Sequence, residues 1–280
     1  DKVAIISIKG ILSSESAEGL LMEKPSIVEV VKQHLEHARK DAHVKAILLE
    51  IDSPGGGITA SDIIYNNVIK FKTDTKKKVV VYMQDVAASG GYYIASAADA
   101  IVAHPTTITG SIGVIMPLIN VAGLINRYGI VDNSITSGDM KGIGSPLKQM
   151  TPEETEILKS IIDEMYMQFV TVVSAGRNMD VEAVKKIADG RIYTGKQALE
   201  KGLIDQLGYL EDAIDVTKKM AGLTTASIVR YERPYGLADL LGIMSGILAR
   251  KSTIKLDIPQ FHEQDNTKPM YLWTGHSIGN

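Results

Sequence analysis

Ser89 lies where an apolar run meets a stretch of very small residues, and this setting suits a nucleophile. Residues 79–83 (VVVYM) are typical of a buried strand, residues 87–91 are all small, and 92–98 predict the start of a helix. A serine at such a strand-to-helix turn exposes its hydroxyl beside unpaired helix amides, which can stabilise an oxyanion. The alternative is a helix N-cap, a common role for serine in this position.

A second strand-to-helix turn is glycine-rich and could serve the same chemistry. The sequence DSPGGG at 52–57 follows an apolar strand at 44–51 and precedes a predicted helix at 58–71. Bare amides in a sharp turn can bind an oxyanion, although a tight loop has the same composition. A phosphate cradle is disfavoured because Ile58 and Thr59 stand where a P-loop has Lys and Ser or Thr. The two turns can face each other at one sheet edge.

A nucleophilic serine needs a base, and the sequence leaves a histidine and a lysine open. His104, before Pro105, is the one plausible histidine; the others are His34, His37, His43, His262 and His276, on a surface helix, in a loop or in the tail. A lysine works only if burial lowers its pKa from about 10.4 to about 7 or 8. Lys141 has small neighbours in the loop 137–146, where Asp139 is the only other charge, although it could be an ordinary surface lysine.

The elements around these residues alternate between strand and helix. Such alternation predicts an α/β fold with a mostly parallel sheet and crossover helices. Strands are predicted at 3–8, 44–51, 79–83, 100–103 and 226–231, and helices at 26–39, 58–71, 152–175, 181–188, 195–201, 210–220 and 237–249. Thr151 opens the longest helix with a capping box and a following proline.

Composition excludes several classes of function. The 280 residues are 45% hydrophobic and carry a net charge of −3, which gives no reason to expect a nucleic-acid partner. No run reaches the roughly 18–20 apolar residues of a membrane span, since Pro117 and Asn120 interrupt the longest candidate, 112–125. The absence of cysteine excludes disulfides, thiol catalysis and cysteine-bound metal.

Four ordered motifs resemble signal peptide peptidase A, in its short, single-domain bacterial form. They are DSPGGG at 52–57, AASGGYYIA at 87–95, TGSIGVI at 109–115 and SGDMKGIGSP at 137–146, and GRIYTGKQALEKGLIDQLG at 190–208 also fits. The resemblance spans roughly residues 3–210. It implies a ClpP/crotonase-like fold of repeated β-β-α units with a C-terminal helical extension, at about 151–222.

The resemblance also implies the roles of particular residues in a serine endopeptidase. Ser89 matches the nucleophile, Lys141 the general base of a Ser/Lys dyad, and Ser111 a serine that orients the lysine amine. The amides of Gly90 and of Gly56 or Gly55 match the oxyanion hole. No metal and no cofactor is implied.

The family further implies a setting and a partner. Its members degrade signal-peptide remnants at the cytoplasmic membrane, with the catalytic domain on the extracytoplasmic side and an N-terminal membrane anchor that this sequence does not contain. The short form assembles as an octameric ring in which neighbouring subunits supply the serine and the lysine of one site. An amine desolvated only on assembly would make activity depend on oligomerisation.

Three other functions remain open, and so does the role of the C-terminus. The functions are a ClpP-like Ser/His/Asp peptidase using His104, a crotonase-type acyl-CoA enzyme, and a non-catalytic scaffold on the same fold. We expect a peptidase domain at 1–255 and a tail at 256–280 without periodicity. The tail residues 270–273 (MYLW) are either a disordered or packing tail or a strand that docks like a substrate.

Overall fold

The apolar runs of the sequence form the strands of a central sheet. The computed structural model describes residues 1–16, 25–231 and 268–273. Its strands are β1 (Lys2–Lys9), β2 (Val44–Ser53), β3 (Gly55–Gly57), β4 (Lys78–Ala88), β5 (Ala100–Ala103), β6 (Ile108–Gly110), β7 (Ile192–Thr194), β8 (Gln206–Leu207), β9 (Ser227–Arg230) and β10 (Met270–Leu272).

The helices begin at caps that the sequence supplies. Ser26, Thr151 and Thr194 each make a capping box. The described helices are α1 (Ile27–Lys40), α2 (Ile58–Thr75), α3 (Gly90–Ala95), α4 (Ala122–Arg127), α5 (Pro152–Arg177), α6 (Val181–Lys185), α7 (Gly195–Glu200) and α8 (Leu210–Met220). None of these described helices is both long and apolar enough to cross a membrane.

The main sheet has the order β7-β6-β4-β2-β1-β9, and β5 and β8 extend it beside the first half of β4. Every pairing in it is parallel except that of β6 with β7. Strand β4 therefore pairs with β2 along one side and with β5 and then β6 along the other. Because β4 is central and buried on both faces, the turn that follows it is held from several sides.

Two apolar layers cover the sheet. One face packs against α1, α2, α3 and α5 through a large cluster that includes Ile6, Leu49, Val81 and Phe169. The other face packs against α8 through a smaller cluster. The near-continuous apolar composition of β2 and β4 is that of strands buried on both faces.

The structure confirms the predicted α/β class and the mostly parallel sheet, and it shifts several boundaries. The strand predicted at 79–83 continues to Ala88, because its second half pairs with β6. The helix predicted from Tyr92 begins at Gly90 and ends at Ala95. Short strands β7 and β8 interrupt the helical part predicted at 151–222. The predicted helix at 237–249 lies outside the described residues.

A buried carboxylate ties the edge strand β9 to the centre of the sheet. Glu50 on β2 is 2% exposed and accepts hydrogen bonds from Ser7 (2.8 Å), Gln84 (3.2 Å) and Arg230. Burial opposes ionisation of Glu50, but the hydrogen bonds from Arg230 and Ser7 outweigh it and hold its pKa below the usual value. The ionised form therefore stabilises the fold above the pKa of an unfolded glutamate, about 4.3.

Replacing Arg230 by methionine is expected to lower the free energy of unfolding by about 2 kcal/mol and the melting temperature by about 5 °C, because it leaves a buried charge short of its main partner. The stabilisation is lost as pH falls through the folded-state pKa, so the difference from wild type should be full at pH 7 and shrink below about pH 4. Melting curves at pH 3.5, 5 and 7 measure it. Arg39→Met, which breaks the exposed pair with Glu36, is the control; equal shifts in both variants would contradict the prediction.

The C-terminal strand β10 forms a separate two-stranded sheet with the glycine-rich turn. It runs antiparallel to β3, with Tyr271 opposite Gly56, and Met270 also pairs with Ile115 on its other side through bonds of 2.8 and 3.0 Å. A disordered tail is therefore wrong for residues 270–273, which leaves a packing tail or a strand that docks like a substrate. The predicted division at residue 255 falls outside the described residues and stays a prediction.

Candidate active site

Ser89 occupies a strained turn at the end of β4. Its backbone has φ 52° and ψ −115°, a left-handed conformation that is uncommon for a residue with a side chain. The Ser89 amide donates to the Gly110 carbonyl at 2.8 Å, and its carbonyl accepts from Tyr93 at 2.9 Å. Ser89 thus stands at the N-cap position of α3, as the alternative has it, but its side chain makes no capping bond to the helix.

The two glycine-bearing turns face each other, as the sequence predicts. A Cβ atom at Gly90 would lie 3.2 Å from the Gly55 Cα and 2.4 Å from the Ser61 hydroxyl. A Cβ atom at Gly55, where φ is +100°, would lie 2.7 Å from the Gly90 amide nitrogen. Both positions need glycine because the backbones approach closely, and the approach brings the amides of the two turns to one place.

Strand β10 crosses this place and puts a peptide carbonyl between the turns. The Tyr271 carbonyl oxygen is 2.1 Å from the point where a Gly55 Cβ would stand, next to the Gly90 amide. The Trp273 amide donates to the Pro54 carbonyl at 2.9 Å. Hydrogen-bonded pairs alternate along an antiparallel ladder, so Tyr271 and Gly56 form the next such pair, with the Gly56 amide directed at the Tyr271 carbonyl.

This geometry separates the two glycines that the sequence left as alternatives. The Gly55 amide donates to the Ser53 hydroxyl at 3.1 Å. That bond leaves Gly56 and Gly90 as the two residues whose amides border the Tyr271 carbonyl. A side chain at Gly55 would overlap that carbonyl.

The Tyr271 side chain fills an aromatic pocket beside α3. It is fully buried, stacks on Tyr93 with ring centroids 5.1 Å apart, and packs against Phe169 at 4.7 Å. Its hydroxyl donates to the Met165 carbonyl at 2.9 Å, and burial raises its pKa. An extended peptide can thus place one large side chain in this pocket while its carbonyl faces the two turns.

A polar network holds the floor of the pocket. The Tyr93 hydroxyl donates to Asp62 at 2.8 Å, and Gln168 donates to both groups at 3.0 and 3.1 Å. Burial and the bond to Asp62 raise the pKa of Tyr93. Sequence patterns do not group Tyr93, Phe169 and Tyr271, because these residues come from three distant parts of the chain. The apolar tail motif at 270–273 was the one sequence signal that pointed to this pocket.

Ser111 follows β6 next to the Ser89 turn. It has φ 51°, and its amide donates to the Arg191 carbonyl at 2.8 Å. Since β6 pairs with the end of β4, the chain brings Ser111 to the same sheet edge as Ser89. Both serines are largely buried, at 7% and 1% exposure.

Lys141 lies apart from these residues on the surface. It belongs to a 3-10 turn, Asp139–Gly142, and is exposed. Among the described residues its side chain makes no hydrogen bond or ion pair, and none links it to Ser89 or Ser111. One chain thus unites Ser89, Ser111, Gly55, Gly56 and Gly90 at one edge but does not join Lys141 to them.

The segment that carries Lys141 also exposes many large apolar side chains. Ile135 is fully exposed and Tyr128 is 73% exposed. Others between β6 and α5 are Ile119, Leu124, Ile130, Val131, Leu147 and Met150. So large an apolar surface is typical of a protein–protein contact.

The contacts of His104 lie away from Ser89. Its ring contacts the Thr106 hydroxyl at 2.8 Å and packs against Tyr209 with centroids 5.0 Å apart. Its amide donates to Met83, six positions before Ser89 along β4. At about 3.3 Å per residue, the six positions along β4 separate Met83, where His104 is bonded, from Ser89 by about 20 Å. A Ser/His arrangement within the chain is therefore disfavoured.

Within residues 1–16, 25–231 and 268–273, no group of three His, Asp or Glu side chains is arranged to hold a metal ion. The site consists instead of hydroxyls, backbone amides and an aromatic pocket. Such a set can bind an extended peptide, polarise its carbonyl and attack it.

Comparison with known proteins agrees with this arrangement. The profile of peptidase family S49 matches residues 71–224, and that of Clp protease matches residues 22–109. The sheet and its crossover helices therefore have the ClpP-like fold.

Individual relatives cover most of the chain. It is 37% identical to a candidate signal peptide peptidase SppA of Enterococcus faecium, over 98% of this chain and 81% of that protein. It is 35% identical to the chloroplastic serine protease SPPA of Arabidopsis thaliana, over 91% of this chain but 38% of that protein. Protease 4 of Salmonella typhi is 33% identical over 80% of the chain and 37% of its own length.

Proposed function

This chain belongs to peptidase family S49 and is a serine peptidase, and from that premise we propose that Ser89 and Lys141 form its catalytic dyad. Ser89 attacks the carbonyl of a bound peptide while the Lys141 amine takes the hydroxyl proton. The amine then delivers that proton to the leaving amine, and water hydrolyses the acyl-enzyme. The Gly56 and Gly90 amides stabilise the oxyanion, and Ser111 orients the lysine amine.

One observation carries this proposal: a peptide strand already crosses the Ser89 turn. Strand β10 pairs with β3 and puts the Tyr271 carbonyl beside the Gly56 and Gly90 residues. A substrate bound by addition to the same edge would place its scissile carbonyl there. The crotonase-type and scaffold alternatives give no reason for a strained serine at this point.

A fluorophosphonate probe tests the nucleophile. It should label the wild-type protein at one residue, Ser89, as read by peptide mass spectrometry. Ser89→Ala should take up no label and lose peptidase activity by about 10⁴-fold or more. Ser160→Ala, a change on the exposed face of α5, is the matched control. Labelling that persists in Ser89→Ala would refute the assignment.

The two halves of the dyad come from neighbouring subunits in this proposal. Lys141 is exposed on a surface segment rich in exposed apolar residues, and a second copy packed on that segment would desolvate the amine. A head-to-tail contact repeated around a closed ring, octameric as in the short form of the family, gives every Ser89 one lysine.

We further propose that the substrates are signal-peptide remnants at the cytoplasmic membrane, cleaved on its extracytoplasmic side. The relative from Enterococcus faecium bears the name of a signal peptide peptidase. The aromatic pocket accepts a large apolar side chain, and the core of a signal peptide is an apolar run. An anchor preceding the catalytic domain would hold the site at the membrane.

If the substrate binds along β3, where β10 lies in this structure, β10 should compete with it. A chain ending at Lys268 should show kcat/KM raised about tenfold, mainly through a lower KM, because a tethered strand has a millimolar effective concentration. Steady-state kinetics on a chromogenic peptide measure it. A chain ending at Trp273 keeps β10 and should behave like the full chain. An unchanged KM in the shorter protein would show that β10 does not occupy the substrate groove.

A further inference from the structure

The loop that carries Lys141 is fastened by a second lysine that the catalytic proposal does not use. Lys148 forms an ion pair with Glu154, with 2.5 Å between its Nζ and Oε1. Glu154 lies in the first turn of α5, and its side chain is 2% exposed. A surface loop is thus bonded to a buried carboxylate on the longest described helix.

Glu154 is fixed from the other side as well. Its second carboxylate oxygen accepts from the Thr151 amide at 2.9 Å, and its own amide donates to the Thr151 hydroxyl at 3.2 Å. This capping box makes the carboxylate a rigid anchor. The hydrogen bond from Lys148, followed by that from Thr151, lowers the pKa of Glu154.

The side chain of Lys148 passes directly against the turn that bears Lys141. A Cβ atom at Gly142, the residue after Lys141, would lie 3.3 Å from the Lys148 Cε and 3.5 Å from its Nζ. The backbone of the same loop is bound by Asn120, whose side-chain amide donates to the Lys148 carbonyl, and by the Val121 amide, which donates to Pro146 at 2.8 Å.

We propose that Lys148 is a positioning residue for Lys141: clamped by Glu154, it holds the Asp139–Gly142 turn against the start of α5. This inference rests on the proposed dyad. Lys148 is engaged by Glu154 through its Nζ, so in this proposal it acts through Lys141 and not on the substrate. Its effect is geometric, since a displacement of about 1 Å of a catalytic group can cost about 10²-fold in rate.

Two variants break the Lys148–Glu154 ion pair without removing the capping box of α5. Lys148→Met keeps the length of the side chain but removes its charge, and Glu154→Gln keeps a residue suited to the capping box while losing the ion pair. Each should lower kcat by about 10- to 100-fold with KM changed less than threefold, and the double variant should be no worse than either single one. Lys148→Arg keeps the positive charge, so its kcat should stay within about threefold of wild type.

Controls separate positioning from general stability. Lys159→Met breaks an exposed ion pair with Asp163 further along α5 and should leave kcat unchanged. In a Lys141→Ala background, Lys148→Met should not slow the fluorophosphonate labelling of Ser89 any further, because no base remains to be positioned. Hydrogen exchange at residues 139–143 should accelerate in Lys148→Met.

The outcomes distinguish the two proposals. Wild-type kcat in Lys148→Met, beside an inactive Lys141→Ala, overturns the positioning role alone. An additional loss from Lys148→Met in the Lys141→Ala background also overturns it. An active Lys141→Ala refutes the dyad itself, and with it the premise of the inference.

Discussion

Replacing Lys141 by alanine is expected to lower kcat/KM for a peptide substrate by about 10³-fold, within the range measured for a positioned general base. The loss should fall on kcat, because the proposed dyad has the lysine act on a proton of Ser89 and gives it no part in peptide binding. The pH–rate profile should change as well. If Lys141 is the base, any acid limb that it gives to the wild-type profile should disappear from the residual activity of Lys141→Ala. Lys201→Ala, at an exposed lysine, is the control.

Mixing two inactive proteins tests whether neighbours share a site. Lys141→Ala subunits retain Ser89, and Ser89→Ala subunits retain Lys141. If they are mixed at equal amounts under conditions that allow exchange, about a quarter of the sites should regain both residues, because each comes from a competent subunit half of the time. Activity near a quarter of wild type is expected. No recovery despite proven exchange would place both residues of a site in one chain.

Replacing Gly55 by alanine should lower kcat/KM nearly as much as Lys141→Ala does, although Gly55 donates no hydrogen bond to substrate in this mechanism. The added methyl would overlap the position of the Tyr271 carbonyl at 2.1 Å, where we place the scissile carbonyl, and would press on the Gly90 amide at 2.7 Å. The loss of oxyanion stabilisation should lower kcat/KM by about 10²- to 10³-fold.

Gly123→Ala is the matched control for this change. Its Cβ meets no atom within 4 Å, and its φ is not positive. Its melting temperature should stay at the wild-type value. Circular dichroism tests whether the Gly55→Ala protein is folded. A folded Gly55→Ala protein with more than a third of wild-type kcat/KM would contradict the assigned path of the peptide.

Local sequence was sufficient for the elements that bury apolar runs and for the turns at their ends. Strands β2 and β4 are too apolar for a surface, and the small residues around Ser89 and in 52–57 allow two backbones to approach closely. The parallel order of the sheet then brings these turns together at one edge. The facing of the two turns could therefore be predicted from pattern and topology, whereas the roles of Ser89, Gly90 and Gly56 were implied by the family resemblance.

Contacts between distant segments were beyond sequence patterns. Pairing of Met270–Leu272 with Gly55–Gly57 joins residues more than 200 positions apart, and no periodicity in three residues reveals such a partner. The Glu50–Arg230 pair is similar, because a glutamate in an apolar strand gives no sign of which cation neutralises it. The exposure of Lys141 was also unpredictable locally, since its small neighbours fit a buried and a surface loop equally.

At Ser89, the residue that would give the most stable backbone differs from the residue that the proposed chemistry requires. A non-glycine residue at φ 52° costs roughly 1–2 kcal/mol that glycine would avoid. A search for the most stable sequence on this backbone would therefore choose glycine at position 89 and discard the hydroxyl. The residue on which the proposed chemistry depends is one that thermodynamic optimisation would remove first.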